Sequence, residues 1–156
     1  PILLIVHLGE AFAGPFADWL DSQSHHRVRL ATDGQLLEPG VTMAAPDRHL
    51  LLAGNTLRVS QDAPRHSCRP SVDVLFESVA RELGAHAIGC LLTGMGRDGA
   101  AGLLAMRKAG AYTIAQDEAS SVVFGMPREA ILLDAASRVL ALDAIGAAIS
   151  ALLEVP

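Results

Sequence analysis

Leu91-Leu92-Thr93-Gly94-Met95-Gly96-Arg97-Asp98-Gly99-Ala100 closes an apolar run that begins at Ala87. Leu103, Leu104, Arg107 and Lys108 then recur at helical spacing, and Gly110 stops the pattern. An apolar run, a glycine-rich turn and a helical period read as a buried strand, a tight corner and a helix. Gly94, Gly96 and Gly99 let the backbone take positive φ and let another group approach closely. Asp98 is the one acidic side chain of the turn and stands where the N-cap of the following helix belongs. Backbone N–H groups and the positive end of a helix dipole keep a carboxylate there ionised.

Outward from this unit, strands and helices alternate. Toward the N-terminus, Pro1 to Val6 is a continuous apolar run, as expected of a strand buried on both faces. His7 and Gly9 end it, and Phe12, Phe16, Trp19 and Leu20 recur at helical spacing through Glu10 to Ser22. Pro15 suits the first turn of that helix better than its interior. Arg27 to Leu30 and Val41 to Ala45 read as strands. His49 to Leu52 and Thr56 to Ser60, joined through Gly54-Asn55, read as an antiparallel hairpin insert. Asp62 to Pro70 is a polar loop carrying Arg65, His66, Cys68 and Arg69. Ser71 caps a helix that buries Val72, Leu75, Phe76, Val79 and Leu83 and ends at Gly84. Toward the C-terminus come a strand at Tyr112 to Gln116, a loop at Ser120 to Phe124 and a helix from Pro127 to Leu132. A short strand at Val139 to Leu142 follows, then a helix from Ala144 to Leu153 capped by Asp143. The fold class is α/β: a three-layer α/β/α sandwich with a mostly parallel sheet and an antiparallel hairpin insert.

Composition bounds the function. The 156 residues suit one domain, 1–156. With 51% hydrophobic and 19% charged residues the chain forms a packed core, and with 4% aromatics that core is Ala, Val, Leu and Ile. A formal net charge of -5 argues against nonspecific nucleic-acid binding. No apolar run is long enough to span a membrane and no signal peptide is visible, so a cytoplasmic location is expected. Cys68 and Cys90 form neither a disulfide framework nor a metal site, and His49, His66 and His86 show no metal-ligand spacing. Cys68 among Arg65, His66 and Arg69 has a lowered pKa if exposed, and Arg65, Arg69 and Arg128 could make a basic patch.

Two readings of the central turn compete. Gly94-x-Gly96-x-x-Gly99 matches a dinucleotide-binding fingerprint, with Asp117-Glu118 placed to hold a ribose. Against it, Asp98 and a pyrophosphate would compete for one positive helix end. Alternatively, His7 and Asp98 both follow strands, and functional side chains gather at the carboxyl ends of parallel strands. A histidine oriented by an ionised carboxylate is a general base. A loop histidine and a plain N-cap satisfy the same residues.

Four stretches carry a resemblance. They are Thr93 to Ala100, Ala115-Gln116-Asp117-Glu118-Ala119-Ser120-Ser121-Val122-Val123-Phe124-Gly125-Met126-Pro127-Arg128-Glu129-Ala130, Arg69-Pro70-Ser71-Val72-Asp73-Val74-Leu75-Phe76, and Pro39-Gly40 with Ala45 to His49. Together they resemble the signatures of the chemotaxis protein-glutamate methylesterases, from Pro1 to near the C-terminus. The resemblance implies hydrolysis of glutamate methyl esters on the cytoplasmic helices of chemoreceptors, and deamidation of receptor glutamines, by a Ser-His-Asp triad. His7 matches the family histidine, Asp98 the aspartate, and Met95 a site-lining position whose backbone N–H helps hold the oxyanion. No metal or cofactor is implied; a phosphorylatable receiver domain upstream is. The family serine lies in a Gly-x-Ser-x-Gly-Gly turn, which these 156 residues do not contain. The domain is therefore expected to lack its first strand and helix. A homologue that binds receptors without cleaving them is the alternative.

Overall fold

The computed structural model describes residues 1–154; Val155 and Pro156, included in the expected domain, lie outside the described residues. In order, the elements are β1 (Ile2–Leu4), α1 (Glu10–Gln23), β2 (Val28–Leu30), β3 (Val41–Met43), β4 (His49–Ala53), β5 (Thr56–Ser60), α2 (Val72–Leu83), β6 (Ile88–Leu91), α3 (Ala100–Lys108), β7 (Tyr112–Gln116), α4 (Met126–Leu132), β8 (Arg138–Leu140) and α5 (Leu142–Leu153). The α/β architecture, the parallel pairing and the antiparallel hairpin are as the sequence implies. The sheet, however, is divided. β1, β3 and β2 form one parallel set, β6, β7 and β8 another, and β4 pairs only with β5.

Among the described residues β1 hydrogen-bonds only to β3, and β6 only to β7. Each presents an open edge to the cavity between them, a cleft of about 450 Å³ lined by residues 3–7 and 90–95. This corrects the reading of the first strand. It is not buried on both faces: Ile2 is 52% exposed, and regular pairing stops at Leu4 rather than Val6.

α1 buries a face of small residues. Ala13 and Ala17 are the buried positions, packed with Val28, Val41 and Met43. Phe16 and Leu20 are partly buried, while Phe12 and Trp19 are 67% and 56% exposed. Small side chains let the helix axis approach β2 and β3, which turns the larger residues sideways. Pro15 lies inside the helix, not in its first turn, because the helix already begins at Glu10 after Gly9.

Other boundaries have local causes. The hairpin register His49↔Ser60 through Ala53↔Thr56 leaves Gly54 and Asn55 as a two-residue loop, with Gly54 at φ 58°. α5 starts at Leu142, so Asp143 falls in its first turn instead of capping it. The N–H of Leu142 is satisfied from outside, by Ser120 Oγ at 2.9 Å.

α2 is the element on which the site rests. Leu75 and Val79 pack with Leu50, Leu52 and Leu57 of the hairpin, and Val72 packs with Leu91 and Leu103. Ser78 Oγ accepts from Leu52 N at 2.9 Å, which ties hairpin to helix. α3 crosses α2 at Gly102, where an added Cβ would lie 2.7 Å from Phe76 Cβ and 2.9 Å from Asp73 Cα. Gly102→Ala is therefore expected to destabilise by about 1–3 kcal/mol through overpacking. Gly146→Ala in α5, where nothing lies within 4 Å of the new methyl, should be neutral or stabilising. Calorimetric unfolding of the two variants checks this, and equal melting temperatures would refute the close approach.

Candidate active site

The site forms where the segments after β1 and β6 meet. His7 lies three residues beyond β1, and Asp98 lies in the turn between β6 and α3. His7 Nε2 and Asp98 Oδ2 are 3.0 Å apart, with the Asp98 side chain 1% exposed. The structure thus brings together the two residues that sequence spacing alone left open.

Asp98 does not cap its own helix. Gly99, at φ 91°, is the N-cap residue of α3. The Asp98 carboxylate turns instead to the N-terminus of α2. There Ser71 Oγ donates to Oδ1 at 2.6 Å, Val72 N to Oδ2 at 2.7 Å and Asp73 N to Oδ1 at 3.2 Å. The electrostatic expectation survives with a different helix supplying the dipole. Burial works to raise the Asp98 pKa, but the bonds from His7, Ser71, Val72 and Asp73 together hold it below the usual carboxylate value. An ionised Asp98 only accepts, so His7 Nε2–H is the donor. In the neutral ring this bond leaves the lone pair on Nδ1, the tautomer a general base needs.

Met95 sits at the mouth of the cleft, 82% exposed, and lines it with His7. Its turn is locked from the far side. Gly94 N donates to Val123 O at 3.0 Å, and Gly94 O accepts from Gly125 N and Met126 N at 3.1 and 2.8 Å. Thr93 N donates to the buried Gln116 Oε1 at 2.8 Å. Glycine is required at two places in this lock. A Cβ at Gly125 would lie 2.7 Å from Gly94 O, and one at Gly99 would lie 2.6 Å from Leu91 Cδ1 at a positive φ. The glycines close a corner, and Asp117 gives its carboxylate to Ser120 N and Oγ at 2.9 and 2.6 Å. Neither feature favours the dinucleotide reading.

Sequence reasoning missed Ser71 and Asp73 as parts of the site. Asp73 Oδ1 accepts from Gly102 N at 2.6 Å, while Oδ2 faces His66 Nε2 at 3.2 Å and Arg65 Nε at 3.9 Å without a well-aligned hydrogen bond among the described residues. Burial, then the charge of Asp98, pushes Asp73 up, against Gly102 N, Arg65 and His66. Their visible signal was only that Ser71 caps a helix and Asp73 lies in its first turn. Nothing in the chain says that a second carboxylate shares that cap.

The expectations for Cys68 and the arginines are corrected. Burial and the charges of Asp98 and Asp73 push the Cys68 thiol up, not down. The expected cations are engaged elsewhere: Arg65 with Glu77 at 2.5 and 2.6 Å, Arg69 with Asp47 at 2.8 Å, and Arg128 with Glu129 at 3.2 Å. No common basic patch results. Burial lifts the Cys90 thiol to about 11.

A histidine–carboxylate couple at the strand ends of an α/β domain, beside an open cleft, is the arrangement of a hydrolase that works through a general base. The chain belongs to the CheB methylesterase family, whose model it matches over residues 1–149. It is 52% identical over 150 residues to a protein-glutamate methylesterase/protein-glutamine glutaminase 2 of Bordetella avium, covering 92% of this chain and 43% of that protein. It is 50% identical over 153 residues to the protein-glutamate methylesterase/protein-glutamine glutaminase of Chromohalobacter salexigens, covering 95% of this chain and 43% of that protein. The crystal structure of the Thermotoga maritima CheB methylesterase catalytic domain superposes with a TM-score of 0.87 at 35% identity, covering 93% of this chain and 79% of that one. The chain thus spans less than half the length of these curated relatives. Among the described residues, no helix is long and apolar enough to cross a membrane.

Ser71 provides a test of the electrostatics. A depressed folded pKa contributes stability that is fully present above the unfolded value of about 3.9 and is lost as pH falls through the folded value. Ser71→Ala removes one of the bonds that depress Asp98, so the variant's acid unfolding should shift to higher pH. At neutral pH it should lose about 1.5–3 kcal/mol, the scale of a hydrogen bond to a charged group. Urea unfolding across pH measures both, and an unchanged acid limb would show that Ser71 does not hold the charge.

Proposed function

We propose that the protein carrying this chain hydrolyses the methyl esters of glutamate side chains on the cytoplasmic helices of methyl-accepting chemoreceptors, and deamidates receptor glutamines. The observation that carries this reading is the His7–Asp98 couple, 3.0 Å long, at the mouth of the cleft between β1 and β6. The nucleophile is a serine on a segment outside these 156 residues. The open edges of β1 and β6 both border the cleft that His7 lines, and they offer unpaired backbone to a further strand. The matched crystal structure contains a further fifth of chain beyond the region shared with this one, which supports the same reading.

In this mechanism His7 takes the serine proton as Oγ attacks the ester carbonyl. Asp98 fixes the ring and stabilises the imidazolium. The backbone N–H of Met95, which has no acceptor among the described residues, helps hold the oxyanion. His7 then returns the proton to the departing methoxide, which leaves as methanol; with glutamine, ammonia leaves instead. Water repeats the sequence on the acyl-enzyme and frees the glutamate carboxylate. A cytoplasmic location and an attached receiver domain accompany this reading as family expectations.

Asp98→Asn preserves shape but removes the charge that sets the tautomer. It is expected to lower kcat for methanol release from methylated receptor by about 10⁴-fold. Full activity of the variant would end the assignment. A wild-type protein that binds receptor without releasing methanol would instead identify a non-catalytic module.

A further inference from the structure

The esterase reading uses His7 and Asp98 but leaves unexplained the thiol placed beside them. Cys68 Sγ, a His7 ring nitrogen and an Asp98 carboxylate oxygen all lie within 4.8 Å of one another. Positions 7, 68 and 98 have no motif spacing, which is why the chain alone suggested no ligand set. We propose that these three side chains form a binding site for zinc ion that, when filled, switches the hydrolase off.

The donor set suits the ion. Imidazole nitrogen, thiolate sulfur and carboxylate oxygen are all zinc ligands, and three protein ligands leave a fourth, open position. Zinc bond lengths of about 2.0–2.3 Å give tetrahedral ligand-to-ligand edges of roughly 3.3–3.6 Å. The His7–Asp98 edge, at 3.0 Å, is already near this value. Cys68 needs to close in by about 1 Å or a little more, given that range. Its backbone is held by a hydrogen-bonded turn, so the approach falls to rotation of the Cys68 side chain: Arg65 N donates to Cys68 O at 3.0 Å and Cys68 N to Arg65 O at 2.8 Å. His66 and Ser67, at φ 50° and 62°, form its tip. The Arg65–Glu77 and Arg69–Asp47 pairs clamp its two ends.

The local field has the right sign. Asp73 and Asp98 are both buried; Asp73 Oδ2 is faced by His66 Nε2 at 3.2 Å and by Arg65 Nε at 3.9 Å, which offset part of its charge, whereas Asp98 meets only neutral donors and the His7 ring. The buried carboxylate of Asp98 attracts a divalent cation. Binding releases the Cys68 proton to solvent. It also replaces the Nε2–H···Asp98 bond by two bonds to zinc, and the ring proton moves from Nε2 to Nδ1. His7 then has no lone pair left to accept a proton, so turnover stops.

The loss of turnover rests on the proposed esterase reading; the binding does not. The test is therefore spectroscopic first. Cobalt(II) added to the full-length protein should give a thiolate-to-cobalt charge-transfer band, and zinc should abolish it by competition. Cys68→Ser should lose the band and bind zinc at least ~10-fold more weakly. Zinc should also protect Cys68 from iodoacetamide in the unsubstituted protein, which needs no variant to fold. Methanol release should fall on adding zinc and recover with a chelator. A cobalt spectrum without the thiolate band, equal zinc affinity of Cys68→Ser, or undiminished alkylation of Cys68 would overturn the proposal. Absent turnover with the band intact would instead strike the esterase reading alone.

Discussion

A carboxylate with almost no solvent, Asp98, is shared between the first turn of α2 and a histidine, and the geometry of the site depends on it. Its charge is tolerable in the interior because Ser71, Val72 and Asp73 surround it with donors at the first turn of α2. Those donors would otherwise be the orphan N–H groups of a helix end. One carboxylate thereby completes α2, aligns the β6–α3 turn against it and leaves one oxygen to fix the imidazole of His7. Removing the whole side chain would loosen all three at once.

The same economy explains the glycines. The turn must bring Asp98 back over α2 while its other side presses on residues 123–126. Positive φ at Gly96 and Gly99, and close contact between Gly94 and Gly125, make that path possible. Met95 is left projecting into the cleft mouth as a result. The cleft itself follows from the divided sheet: β1 and β6 each carry paired neighbours on one side and an open edge on the other. The two halves are joined through α2 and α3, whose close crossing at Gly102 stands in for direct strand pairing.

Much of this was legible in the chain. The apolar run and glycine turn at 87–99 read as strand and corner because period and breakers agree there. The hairpin was legible because Gly54-Asn55 separates two β-rich runs. His7 and Asp98 were nominated by their places after strands, and the family motifs singled them out. What was not legible has physical causes. Helical spacing of the large residues does not reveal the buried face of α1, because alanines, not aromatics, set its distance from the sheet. Asp98 was assigned to its own helix because local sequence cannot show that Ser71, 27 residues away in the chain, bonds to it. Cys68 was given free arginine neighbours because a sequence does not show that Glu77 and Asp47 have already claimed them.

The tautomer of His7 tests the central interaction most directly. Nitrogen-15 spectra of the neutral imidazole, in the full-length protein, should show the proton on Nε2 in a single, slowly exchanging form, and Asp98→Ala should release it to a mixture. An imidazole that already samples both tautomers in the unsubstituted protein would mean that Asp98 does not orient it.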